Sequence, residues 1–213
     1  MYQEWRNLTF LHWSFDPAAI RPLIPRRFEL DIFDGKAWVG LVPFFISASR
    51  FTGIPWTIDF PETNVRTYVR APDGNTGVWF FSLDAASLPA VIGARIGFGL
   101  PYELASMTFQ RSGSRISYWS KRIRSKTPAT CDVTVDVGEA LPETEIGPLE
   151  VFLINRYRLY SRIATGEVDH EPYPLSSVKL VECRQTLFDL PGQPDCVHFS
   201  PGVDVRIGRP HFA

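Results

Sequence analysis

Glu62, Asn64, Arg66 and Tyr68 recur at every second position, with Thr63, Val65, Thr67 and Val69 between them. Side chains alternate faces along a strand, so a carboxylate, an amide, a guanidinium and a phenol share one face, backed by a core-like stripe. Such a face can grip an anion through its arginine and move a proton through its carboxylate. It can equally be the solvated outer side of a half-buried sheet. A second stripe, Arg156, Arg158, Tyr160 and Arg162 alternating with Asn155, Tyr157, Leu159 and Ser161, favours a polar interior. Neither stripe reveals which face turns inward.

Of 22 basic residues only Lys36, Lys121, Lys126 and Lys179 are amines. Arginine makes planar two-point contacts with carboxylates and phosphates, whereas imine chemistry needs a lysine; genomic base composition is an equally good source of the skew. His12, His170, His198 and His211 lack H-E-x-x-H or H-x-H spacing, so a metal site would have to be assembled by the fold, and no metal ligand or cofactor is expected. His170, just before Glu171-Pro172, can serve as acid, base or donor near neutral pH, or as a structural histidine bonded to backbone. His12, between Leu11 and Trp13, reads as a packed strand residue. No nucleophile elbow, phosphate loop or dinucleotide-binding glycine pattern is present. Cys131, Cys183 and Cys196 are odd in number with no C-x-x-C pair, as expected of reduced thiols in a reducing cytosol.

The elements that must position these groups are mostly strands. The 213 residues are 45% hydrophobic, 21% charged and 14% aromatic, with 18 prolines and 15 glycines separating short β-branched and aromatic runs. One domain over 1–213 is expected. The 22 basic and 23 acidic residues balance, which gives no reason to expect a nucleic-acid or anionic-membrane partner. No apolar run reaches the roughly 20 residues that span a bilayer, and no secretory pattern opens the chain, so a cytoplasmic protein is expected. Strands are expected over Phe28–Phe33, Lys36–Ser47, Glu62–Arg70, Gly77–Asp84, Leu104–Arg111, Arg115–Arg122, Cys131–Val137, Arg156–Ile163, Glu167–Tyr173 and Val178–Leu187. Asp34-Gly35 and Ser112-Gly113-Ser114 are turn signals. Helices should start at Asp16-Pro17 and end before Pro25, start near Ser87 and break at Gly97, Gly99 and Pro101, and start near Pro148 and run to Ile154. Trp79-Phe80-Phe81 reads as core, with an aromatic pocket wall as the alternative. So many short strands are most simply relieved of their edges by closure into a barrel or cone.

Several segments together resemble a known family. They are Trp5-Arg6-Asn7-Leu8-Thr9-Phe10-Leu11-His12-Trp13, Phe33 to Phe44, Glu62 to Val69, Gly77 to Ala85, Ala94-Arg95 with Leu100-Pro101-Tyr102, Arg156 to Tyr160, and His170-Glu171-Pro172-Tyr173-Pro174-Leu175. Across almost the whole chain they look like the YqjF-like (DUF2071) proteins of the acetoacetate decarboxylase-like superfamily. The resemblance implies a mainly β fold with a few helices, a closed antiparallel β-barrel or cone around a ligand cavity. It also implies that Glu62 matches the superfamily's active-site glutamate and Arg95 its arginine after the helix. Acetoacetate decarboxylases form their imine on a lysine in a Tyr/Phe-Pro-Lys-Lys segment; here the similar segment is Leu100-Pro101-Tyr102-Glu103, and a tyrosine hydroxyl cannot form an imine.

Three functions follow as expectations. The first is a cavity that binds a small organic anion, a carboxylate or keto acid, with Asn64, Arg66, Tyr68, Arg95, Arg156 and Arg158 as ligand-binding residues and Glu62 and Tyr102 orienting it. The second is an acid/base enzyme in which Glu62 or His170 moves a proton on a carbonyl compound while Tyr102 and an arginine stabilise enolate-like charge. The third is a structural or interaction protein with a filled interior. The oligomeric state is not indicated.

Overall fold

The structure, a computed structural model, describes residues 1–50 and 57–212. It is mainly β. In chain order the strands are β1 (Tyr2–Phe15), β2 (Glu29–Leu30), β3 (Ala37–Arg50), β4 (Ile58–Arg70), β5 (Thr76–Ala85), β6 (Tyr102–Ser112), β7 (Arg115–Arg122), β8 (Thr130–Ala140), β9 (Arg158–Tyr160), β10 (Ala164–Asp169), β11 (Ser176–Gln185), β12 (Cys196–Ile207) and β13 (His211–Phe212). Three helices interrupt them: α1 (Pro17–Ile20), α2 (Leu88–Phe98) and α3 (Pro148–Ile154). No helix among the described residues is long and apolar enough to cross a membrane.

The helix starts follow from local chemistry. The Asp16 carboxylate accepts the Ala18 N–H at 2.8 Å with Pro17 first in the helix. Ser87 caps α2 through the Ala90 N–H, and Gly99 ends it at φ 64°, a left-handed stop glycine adopts readily. The turns hold as well: Asp34 and Gly35 both take positive φ between Phe33 and Lys36, and Ser112 pairs with Arg115 across Gly113.

The pairings run β5-β6-β7-β8-β11-β12-β1-β3-β4, and β4 pairs again with β5, so the ladder makes a circuit. β9 and β10 extend from β5, and β2 flanks β4. Two pairings depart from the antiparallel expectation: β5–β6 and β5–β9 are parallel. The first follows from α2, which carries the chain from the end of β5 back to the start of β6, the crossover that a parallel neighbour requires. Other expectations also shift. β1 and β12, two of the longest strands, are not among the expected ones. The Phe28–Phe33 strand shrinks to β2, which pairs with β4 rather than β3, because Asp31 turns inward to hold two arginines. The Arg156–Ile163 strand shrinks to β9.

β4 lies between two cores. One contains Leu8, Phe10, Val42, Phe44, Tyr68 and Leu153; the other contains Leu11, Trp13, Val39, Leu41, Val65 and Val133. A bulge places the extra residue Phe81 on β5 between the Val65–Ser82 and Arg66–Phe80 pairs. Trp79 is thus core, Phe80 faces the first side, and Phe81 stacks on Phe188 on the other. On β3, Gly40 stands opposite both His12 and Arg66. A Cβ there would come within 3.0 Å of the His12 ring and 3.4 Å of the Tyr68 hydroxyl.

Candidate functional site

A cavity of about 370 Å³ opens on the first core, with a wall that is mostly apolar and includes Trp5, Phe44, Phe60, Phe80, Phe98 and Leu100. Three successive side chains of the β4 polar face, Glu62, Asn64 and Arg66, line it. Tyr68, the fourth, is fully buried beside it, with Arg66 and Arg156 lying over its ring. Burial alone does not separate the two faces of β4, because Val65 and Val69 are buried on the other side. The cavity lining does.

Glu62 is 3% exposed and accepts the Tyr102 hydroxyl at 2.8 Å. The topology makes this contact: Tyr102 opens β6 beside Leu83 of β5, while Glu62 pairs with Ala85 on the other side of that strand. Burial pushes the Glu62 carboxyl up from 4.5 to about 8, against the Tyr102 donor, which favours the carboxylate. Tyr102 is held well above the usual phenol range by burial and by the carboxylate it faces. Burial thus favours the protonated acid over the carboxylate in this pair.

Arg66 is the second polar feature. A buried arginine calls for a carboxylate or several carbonyl partners, yet its one protein hydrogen bond among the described residues is to the Leu153 carbonyl, at 3.2 Å, and its Nε has no partner. The rings of Phe10 and Tyr68 lie 5.6 and 5.9 Å from its guanidinium carbon. Arg156 also lines the cavity but has a carboxylate partner, its Nη1 lying 2.7 Å from Asp31, which Arg70 shares at 2.9 Å. Arg158 lines it near Glu167, 3.7 Å away.

Two other expected residues stand elsewhere. Arg95 is outside the lining: its Nε donates to the Tyr102 carbonyl at 2.6 Å and its Nη2 lies 3.3 Å from Glu103, so it braces the backbone that presents Tyr102. His170 is also outside, packed against Tyr157 and Tyr173 with ring nitrogens 2.7 and 3.3 Å from the Glu171 and Arg156 carbonyls. A neutral imidazole donates to only one of these carbonyls, and the shorter contact, to Glu171, ties the ring to the backbone. All four lysines are exposed and none lines the cavity. Sequence reasoning missed the apolar wall from β1 and α2, and Asp31, whose role shows only when distant segments meet.

Comparisons with known proteins bear on the family and the fold. The profile of DUF2071, an uncharacterized conserved protein family, matches residues 2–204. The uncharacterized protein YqjF of Bacillus subtilis (strain 168) is 34% identical over 217 residues, covering 96% of this chain and 89% of that protein. Among solved structures, acetoacetate decarboxylase from Legionella pneumophila superimposes with a TM-score of 0.67 at 14% identity, covering all of this chain and 86% of that one. The enduracididine biosynthesis enzyme MppR complexed with pyruvate superimposes with a TM-score of 0.64 at 13% identity, covering 99% and 89%. At such identities the likeness is one of fold.

Proposed function

The chain belongs to the DUF2071 family, and from that premise and its cavity geometry we propose that it binds a small organic anion, a carboxylate or keto acid, on Arg66. We read the circuit of strand pairings as a closed cone with this cavity as its interior. The observation that carries the reading is the absence of a carboxylate partner for Arg66 among the described residues. An uncompensated buried guanidinium is costly, and an anionic ligand supplies the missing charge. The volume suits a small molecule, and MppR, of the same fold, holds pyruvate, itself a keto acid. A filled structural interior is disfavoured by the same cavity.

Thermal scanning against a panel of carboxylates and keto acids tests this. A ligand at one hundred times its dissociation constant adds about 2.7 kcal/mol to stability, and Arg66→Met should abolish the shift. No shift with any anion, or a shift that survives in Arg66→Met, overturns the reading.

A second reading, an acid/base enzyme on a small carbonyl compound, is favoured by the Glu62–Tyr102 contact. The ionised fraction of the Glu62 carboxyl can take a proton from carbon next to a carbonyl and return it, and Tyr102, released once that carboxylate has become an acid, joins Arg66 in stabilising the enolate oxygen. Exchange of pyruvate methyl protons for deuterium, followed by NMR, should be catalysed by the wild type and lost in Glu62→Gln while the anion-induced thermal shift remains. Equal exchange by both proteins removes Glu62 from the reaction.

A further inference from the structure

The β1–β12 ladder brings together three groups that the anion site does not use. His12 stands directly opposite Cys196, and His198 lies two residues further along β12, opposite Phe10. Residues two apart share a strand face, so His12, Cys196 and His198 meet on one face. One ligating atom from each lies within 4.8 Å of the other two.

Hydrogen bonds decide which nitrogens are free. The Tyr68 hydroxyl donates to the Leu153 carbonyl at 2.7 Å, so His12 Nε2, 2.7 Å from the same oxygen, must be the donor to it. His12 Nδ1 then keeps its lone pair. His198 Nε2 faces the Glu150 carboxylate at 3.4 Å and is the donor there, which leaves His198 Nδ1 bare. Both Nδ1 atoms are buried with no partner, on residues that are 0% and 9% exposed. Two unpaired imidazole lone pairs beside a thiol are wasteful in a sealed core and fitting as a metal-ligand set.

We infer that His12 Nδ1, His198 Nδ1 and Cys196 Sγ bind one thiophilic divalent cation of the zinc class. Imidazole and thiolate donors suit zinc, and three protein ligands leave the fourth tetrahedral position for water or a small ligand. Ligand atoms around tetrahedral zinc sit about 3.3–3.8 Å apart given the usual bond lengths, so modest side-chain rotations close the site from the present spacing. The surrounding contacts match the outer shell such sites use: Glu150 orients His198, and Tyr68 orients His12. Binding exchanges the Cys196 thiol proton for the metal and releases that proton to solvent. The spacing of the ligands in the chain gives no signal for this, because His12 and the Cys196/His198 pair come from opposite ends.

The test titrates chelator-treated full-length protein with cobalt(II) as a spectroscopic probe and then with zinc in competition. One equivalent of cobalt should bind with a sulfur-to-cobalt charge-transfer band, and zinc should displace it. Cys196→Ser should lose the band, and Glu150→Gln, which removes an orienting partner, should weaken binding about 10–100-fold. Cys183→Ser should behave as wild type. The metal-free melting temperature of each variant checks that it folds. Failure of wild-type protein to bind one equivalent overturns the inference, as does an undiminished band in Cys196→Ser.

Discussion

Two clusters of buried charge lie on opposite faces of the β4–β5 pair, and they are built differently. On the second face Asp84, wholly buried, is closed by Arg122, whose Nε lies 3.0 Å from both carboxylate oxygens and whose Nη2 lies 2.9 Å from Oδ1. On the cavity face Glu62 contacts a tyrosine and Arg66 a backbone carbonyl, and the two are not paired with each other. The closed cluster is an ion pair in which the carboxylate has its cation, although Arg122 Nη2 makes no well-aligned hydrogen bond. The open one keeps an acid and a cation apart across a hollow, with no carboxylate on the arginine among the described residues.

The largest expected effect breaks the closed cluster. Asp84→Asn strands the Arg122 cation in the interior and should cost about 3–5 kcal/mol in urea unfolding; a loss below about 1 kcal/mol would mean that the pair is not the strut described. A pH series sharpens the other side. The folded protein holds the Glu62 proton to about pH 8, whereas the carboxyl of an unfolded chain releases it near 4.5. Between those values the native state binds more protons than the unfolded state, so the Glu62 contribution to stability falls as pH rises, by up to about 1.4 kcal/mol per pH unit, and levels off above pH 8. Glu62→Gln, neutral throughout, should lack that slope in unfolding measured from pH 5 to 9; parallel curves for the two proteins would refute the raised carboxyl. The smallest effect is the most diagnostic of openness. Arg66→Met, which removes a cation with no anionic partner, should leave ligand-free stability within about 1 kcal/mol of wild type or above it, whereas Arg122→Met should be as damaging as Asp84→Asn. A large loss in Arg66→Met would show that Arg66 is structural after all.

Much of this was legible in the residues, and the exceptions share a cause. Caps at Asp16 and Ser87, Pro148 at the first position of its helix and the turn at Asp34-Gly35 are local devices, read from a few adjacent side chains. The β4 stripe was legible because its polar face alternates strictly. β1 was hidden by Glu4 and Arg6, whose charges belong to an outward ion cluster with Asp204, and by Asn7, whose amide oxygen accepts from Arg111. β12 was hidden by Pro201-Gly202, which reads as a turn but lies within the strand, where Gly202 at φ 134° lies opposite Arg6, next to the left-handed Asn7. His170 has the chemistry of a catalytic residue, and only tertiary packing reveals that it lies outside the cavity with its ring against backbone carbonyls. What the sequence could not express was which partner each buried charge meets, since Asp31 and Arg156, or Glu62 and Tyr102, come together only through the completed sheet.

Gly40 carries a consequence for how this family can vary. Because it has no side chain, His12 on β1 and Tyr68 on β4 reach each other across the intervening β3, and three strands are tied by one missing methyl group. Positions 12, 40 and 68 should therefore drift together rather than singly. Among homologues, a larger residue at position 40 is expected only where position 12 has become smaller, and a lineage that loses the glycine first should lose the histidine–tyrosine contact with it.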